Sequence, residues 1–219
     1  MFSASILLFA ILFSAYSGAQ SQQSAAPATE GSPVPGLPGI TVALGLNPAA
    51  QIEWLLVYQN RQQVQKLNVC TGSPVPRQDP VGSLNMADFN FDGVPDLALQ
   101  VSAEKGNQQY CIWLFDSSTQ RFVLNEQLSK LTNPMPDPQT KTVVSTQTLG
   151  CNGACYSKKI YEWSQEELEL TREVTRTREP LAIGFGGCDY IESVSTIKDG
   201  ELREIGRDRV NASGVRCDR

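Results

Sequence analysis

Asp88, Asn90, Asp92 and Asp96 fall within the nine-residue stretch DFNFDGVPD. Carboxylates packed this closely repel one another, so the arrangement calls for a compensating cation or full solvation. Counting from Asp88, oxygen-bearing side chains take the first, third, fifth and ninth positions. Gly93 supplies a sharp turn at the sixth, and the backbone carbonyl of Val94 falls at the seventh. This is the opening of a calcium loop: Ca2+ takes roughly six to eight hard oxygens in a flexible shell, and three carboxylates offset its charge. Leu99 stands where an EF-hand places glutamate, and Pro95 followed by LALQV reads as a strand. The predicted site is therefore an Asp-rich turn in a β context, with Asp88, Asn90, Asp92, Val94 and Asp96 as ligands and Asp96 bound directly. Phe89, Phe91, Leu97 and Leu99, interleaved with the ligands, would pin the loop to a core, which makes the ion structural. The competing explanation is a solvated hairpin whose Asp and Asn side chains satisfy backbone amides.

Other chemistry is sparse. The chain has no histidine, which removes the commonest general base and the usual nitrogen ligand for a metal. Ser-His and Cys-His nucleophilic machinery is thereby excluded. No paired carboxylates stand out as an acid/base couple, so the chain reads as a non-enzyme. A net charge of −5 argues against nucleic acid, whose binding depends on Lys and Arg neutralising phosphates, and leaves a basic partner plausible.

The elements that must position the loop begin well inside the chain. Residues 1–19 carry no charged side chain, an apolar run from Ile6 to Phe13, and Ser17 and Ala19 at cleavage-site spacing. The run is too short to span a bilayer and has the form of a secretory signal peptide. No cysteine follows it closely, so neither a membrane span nor a lipid anchor is expected. Residues 20–39 are rich in Gln, Ser, Ala, Pro and Gly and read as a flexible tether. Residues 40–219 remain as a single β-domain. Six cysteines behind an export signal predict disulfides and an oxidising compartment. Sequence does not choose among the pairings. Cys151 with Cys155 would make a local clip, Cys188 with Cys217 would tie down the C-terminus, and Cys70 with Cys111 would join strands near the Asp loop.

From Ile40 onward the pattern is mostly β. ITVALGL, IEWLLVY, QVQKLNV, DLALQVS, YCIWLF, KTVVSTQ, KKIYEW and ELELTREV read as strands, and Asp199-Gly200 marks a tight hairpin. Ser164 with Glu167 competes as a helix-capping pair, but the period of two through Tyr161, Trp163, Leu168 and Leu170 favours a hairpin. NEQLSKL reads as a helical turn before a break at TNPMPDP. The Trp and Tyr residues at 54, 110, 113, 161 and 163 fall on strand alternation and read as core. Many short strands imply a sandwich, a barrel or a small propeller.

Several stretches together resemble a known family. Asp88, Asn90, Asp92 and Gly93, then Tyr110, Trp113, Leu114, Phe115 and Asp116, then Phe122 and Val123, then Tyr161 and Trp163 are similar to the periplasmic immunity proteins of bacteria-killing type IV secretion systems. The likeness covers about 90 residues. It implies a small β-propeller-like domain that binds Ca2+ and blocks a co-encoded peptidoglycan hydrolase, lysozyme-like enzymes included. It implies a periplasmic location. The chain departs from the family in lacking a lipid-modified cysteine and in carrying six cysteines, and the resemblance locates no inhibitory loop. The expectation is thus a monomeric, calcium-stabilised inhibitor of a peptidoglycan hydrolase; the alternative is a calcium-dependent extracellular adhesion or carbohydrate-binding module.

Overall fold

The computed structural model describes residues 31–79, 81–179 and 189–217. The expected signal peptide, the first part of the tether and Cys188 lie outside the described residues. The architecture is all-β: among the described residues, three antiparallel sheets with one short α-helix and a single 3-10 turn at Cys151–Gly153. The first sheet runs β1 (Ser32–Pro33), β2 (Ile40–Leu46), β3 (Ile52–Gln59) and β4 (Gln62–Asn68). The second runs β5 (Leu84–Ala87), β6 (Asp96–Glu104), β7 (Asn107–Asp116) and β8 (Arg121–Leu124). The third has six strands: β9 (Pro134–Asp137), β10 (Thr142–Gly150), β11 (Cys155–Ser164), β12 (Glu167–Arg178), β13 (Tyr190–Lys198) and β14 (Glu201–Val210). In each sheet every strand pairs with its neighbour in sequence. These consecutive meanders resemble propeller blades, and among the described residues they do not close into a barrel.

Two positions correct the sequence reading. Ser32 and Pro33 pair with Val42 and Thr41, and Val34 is buried in the first core cluster. Strand pairing and core packing thus fall inside the segment read as a tether, because Val34 and Leu37 supply apolar contacts that its Pro and Gly content masks. The break at TNPMPDP contains β9, whose Pro136 and Pro134 sit opposite Val143 and Ser145. Proline is tolerated there because β9 is the sheet's edge, where a missing N–H leaves no ladder unfilled.

The middle sheet is covered on both faces. Leu97, Leu99, Cys111, Trp113, Phe115 and Phe122 face the first sheet's Val42, Leu55, Val57 and Leu67 in one core. On the opposite face Ala98 and Ile112 pack with Leu128, Val143 and Leu168 in a second. Asp96 through Gln100 are accordingly all buried, which is why DLALQ reads as a continuous run instead of an alternation. Leu128 reaches this second core from α1 (Glu126–Ser129), a single turn capped by the Asn125 side chain accepting from the Leu128 N–H.

Two disulfides are in place. Cys70–Cys111 joins the chain after β4 to the middle of β7 across a sequence separation of 41, and Cys151–Cys155 closes a separation of 4. Cross-linking removes loop entropy from the unfolded chain, by about 4 kcal/mol for the long loop and about 2 kcal/mol for the short one. Cys217 is also disulfide-bonded; the expected partner, Cys188, lies outside the described residues. Such bonds place the folded chain in an oxidising, extracytoplasmic compartment. No helix among the described residues is long and apolar enough to cross a membrane.

Candidate metal centre

The Asp-rich loop bridges β5 and β6 and is folded by its own side chains. The Asp88 carboxylate accepts from the Asp92 N–H at 3.2 Å and the Gly93 N–H at 2.9 Å. Asn90 Oδ1 accepts from the Asp92 N–H at 3.3 Å, while its Nδ2 donates to Asp92 Oδ2 at 3.0 Å. Asp92 Oδ1 in turn accepts from the Val94 N–H at 2.8 Å. Two residues have left-handed backbone, Phe91 at φ 61° and Gly93 at φ 89°. Glycine carries the larger angle without steric cost. Asp88, Asn90 and Asp92 thus sit together on one turn, bonded to its amides and to one another.

Asp96 has a different environment. It is fully buried, with Oδ2 accepting from the Phe89 N–H at 2.7 Å and Oδ1 from the Phe115 N–H at 2.9 Å. One side chain therefore ties the start of the loop to β7. Burial pushes its pKa up to about 7; the two amide bonds oppose that rise, and the Asp92 and Asp88 carboxylates add to it. The loop is also held from the third sheet, since Trp163 Nε1 on β11 donates to the Phe89 carbonyl at 2.8 Å. Phe89 itself is buried in the second core. Sequence reasoning missed this fastening. Its only signal was the alternation of Phe and Asp, which shows that the loop packs but not against what.

The donor set fits a hard divalent cation. Four oxygen-bearing side chains lie within nine residues, and a cation would relieve a carboxylate whose proton affinity is raised chiefly by burial and further by the Asp92 and Asp88 carboxylates. The described conformation, however, turns these oxygens onto backbone amides. Among the described residues no three His, Cys, Asp or Glu side chains form a preformed cage. Calcium would bind by exchanging amide bonds at Asp88 and Asp92 for ion contacts.

Beside the loop lies a cleft of about 800 Å3. Its apolar surface comes from Leu114, Val123 and Trp163, and its acidic groups are Asp92, Asp116 and Glu166, with no Lys or Arg in the lining. Ser118 and Thr119 hydrogen-bond Asp116 and hold its pKa down at about 2, so Asp116 stays anionic at any physiological pH.

No protein-family profile and no curated protein matches the chain. Its fold is similar to that of a solved Xanthomonas protein described as type IV secretion system related. The identity is 18%, the TM-score 0.54, and the match covers 83% of this chain and 99% of that one. At this identity the likeness establishes a shared fold.

Proposed function

We propose that the protein is a periplasmic immunity protein that binds and blocks a peptidoglycan hydrolase, with calcium stabilising the Asp-rich turn. The observation that carries the reading is the structural match, which spans almost the whole of a protein related to type IV secretion. It coincides with the motif resemblance through Asp88–Gly93, Tyr110–Asp116 and Tyr161–Trp163. Two further features support it. The disulfides suit the compartment in which a wall hydrolase acts. The acidic cleft at Asp92, Asp116 and Glu166 complements a basic enzyme, and such complementarity speeds encounter more than it tightens the complex. The mechanism is occlusion of the enzyme's cleft, with no bond broken by this chain. Ca2+ would be held by Asp88, Asn90, Asp92, the Val94 carbonyl and Asp96, and its role is to rigidify the turn.

The test is affinity capture of exported proteins on the folded chain, with and without a chelator. A peptidoglycan hydrolase should be retained, more weakly in chelator. Retention of glycans with no hydrolase would replace this reading with a carbohydrate-binding module.

A further inference from the structure

The hairpin joining β10 to β11 ends in a loop closed by its own disulfide. Cys151–Cys155 spans a sequence separation of only 4, so it constrains the unfolded chain far less than Cys70–Cys111 does. What it fixes is local shape. Gly150, Cys151, Asn152 and Gly153 have φ of 99°, 54°, 53° and 88°, a run of positive values that an unconstrained chain rarely keeps. The base of the loop is clamped as well. Asn107, in the β6–β7 hairpin, donates to the Thr148 carbonyl at 3.1 Å and accepts from the Thr148 N–H at 2.8 Å. Asn133 donates to the carbonyls of both Gly106 and Thr146.

Beyond that clamp the tip is open. Leu149 is 46% exposed, and residues 150–153 are exposed. Among the described residues the Asn152 amide has no hydrogen-bond partner. The tip is also uncharged: no Asp, Glu, Lys or Arg lies between Lys141 and Lys158, in a chain with 23 acidic residues. The nearest flanking charges in sequence are lysines, and the hairpin that clamps the tip carries Lys105.

We propose that this disulfide-clipped tip, centred on Leu149 and Asn152, is the plug that enters the substrate cleft of the target hydrolase; the inference rests on the inhibitor reading. An enzyme that cleaves glycosidic bonds holds a pair of carboxylates across its cleft. An acidic loop would be repelled there. This tip offers an amide N–H donor at Asn152 for a carboxylate, and an apolar side chain at Leu149 for the cleft wall. Its shape is set before binding, so little ordering entropy opposes association.

The test measures inhibition constants on a cell-wall suspension, using the hydrolase captured above and lysozyme as probes. The variants are Cys151→Ser/Cys155→Ser, Asn152→Asp and, as a control outside both the tip and the acidic cleft, Val64→Asp on β4, an exposed position. The double serine variant should stay folded by circular dichroism and inhibit about tenfold less well through lost preorganisation. Asn152→Asp should weaken inhibition about a hundredfold through like-charge repulsion, and Val64→Asp should leave the constant within about twofold. If wild type inhibits and both tip variants inhibit equally well, the plug is overturned and the inhibitor reading stands. If wild type inhibits neither enzyme, the inhibitor reading falls and takes the plug with it.

Discussion

Asp96 gives the chain an unusual pH dependence. Its folded-state pKa is about 7 against an ordinary value of 3.8, so between these limits the folded protein holds a proton that the unfolded chain has released. Folding therefore takes up protons, and stability falls as pH rises through the window, the reverse of the usual carboxylate. The full difference corresponds to about 4 kcal/mol, or about 1.4 kcal/mol per pH unit, levelling off above pH 7. The window is clean because the chain has no histidine. Arg176 and Tyr156 hold the Glu192 pKa below its usual value against the effect of burial, and hydrogen bonds do the same for Asp116 and Asp137. Those groups titrate at lower pH. Urea unfolding in chelator from pH 5 to 8 should show the decline in wild type. Asp96→Asn should abolish the slope and cost about 1–3 kcal/mol at pH 5, since the amide cannot accept from both the Phe89 and Phe115 N–H groups. A wild-type curve that is flat or rises between pH 5 and 7, or an Asp96→Asn variant that keeps the slope, would refute the assignment.

Three further expectations concern the same framework. Asp92→Ala should remove the calcium dependence of the melting curve, whereas wild type should melt higher in millimolar Ca2+ than in chelator by mass action on the folded state; identical wild-type curves would favour the self-bonded turn without an ion. Replacing Cys70 and Cys111 by alanine should cost about 4 kcal/mol in denaturant unfolding, against about 2 kcal/mol for the Cys151 and Cys155 pair, and equal losses would contradict the loop-length account. Trp163→Phe keeps most of the apolar contact but deletes the bond to the Phe89 carbonyl, so it should cost about 1 kcal/mol and accelerate hydrogen exchange in the Asp loop; unchanged exchange there would show that β11 does not fasten the loop.

Local patterns were legible in the sequence where the physics is local. The Asp199-Gly200 hairpin appears as a left-handed pair joining β13 to β14. The contest at Ser164 resolves to a hairpin, with Gln165 and Glu166 at φ 49° and 70°. The helical turn at NEQLSKL appears as α1, and the Cys70–Cys111 and Cys151–Cys155 pairings are observed. What stayed hidden depends on which sheet covers which face. The burial of Asp96 beneath β7 is one case. Another is Gly45, where the Trp54 indole occupies the space a Cβ would need. Trp54, expected in the core, is instead half-buried on β3 and outside both core clusters, with the Lys66 ammonium 3.6 Å over its ring. Such contacts leave no periodic trace, since the partners come from different strands.

The central claim, that this chain blocks a peptidoglycan hydrolase without doing chemistry itself, is tested most directly by titrating the folded chain into a wall-lysis assay of the captured hydrolase. Lysis should fall linearly and stop near one inhibitor per enzyme. Raising the salt should slow the onset of inhibition more than it changes the end point, because rim charges act mainly on association. Undiminished lysis at micromolar excess, for the captured hydrolase and for lysozyme alike, would contradict the claim.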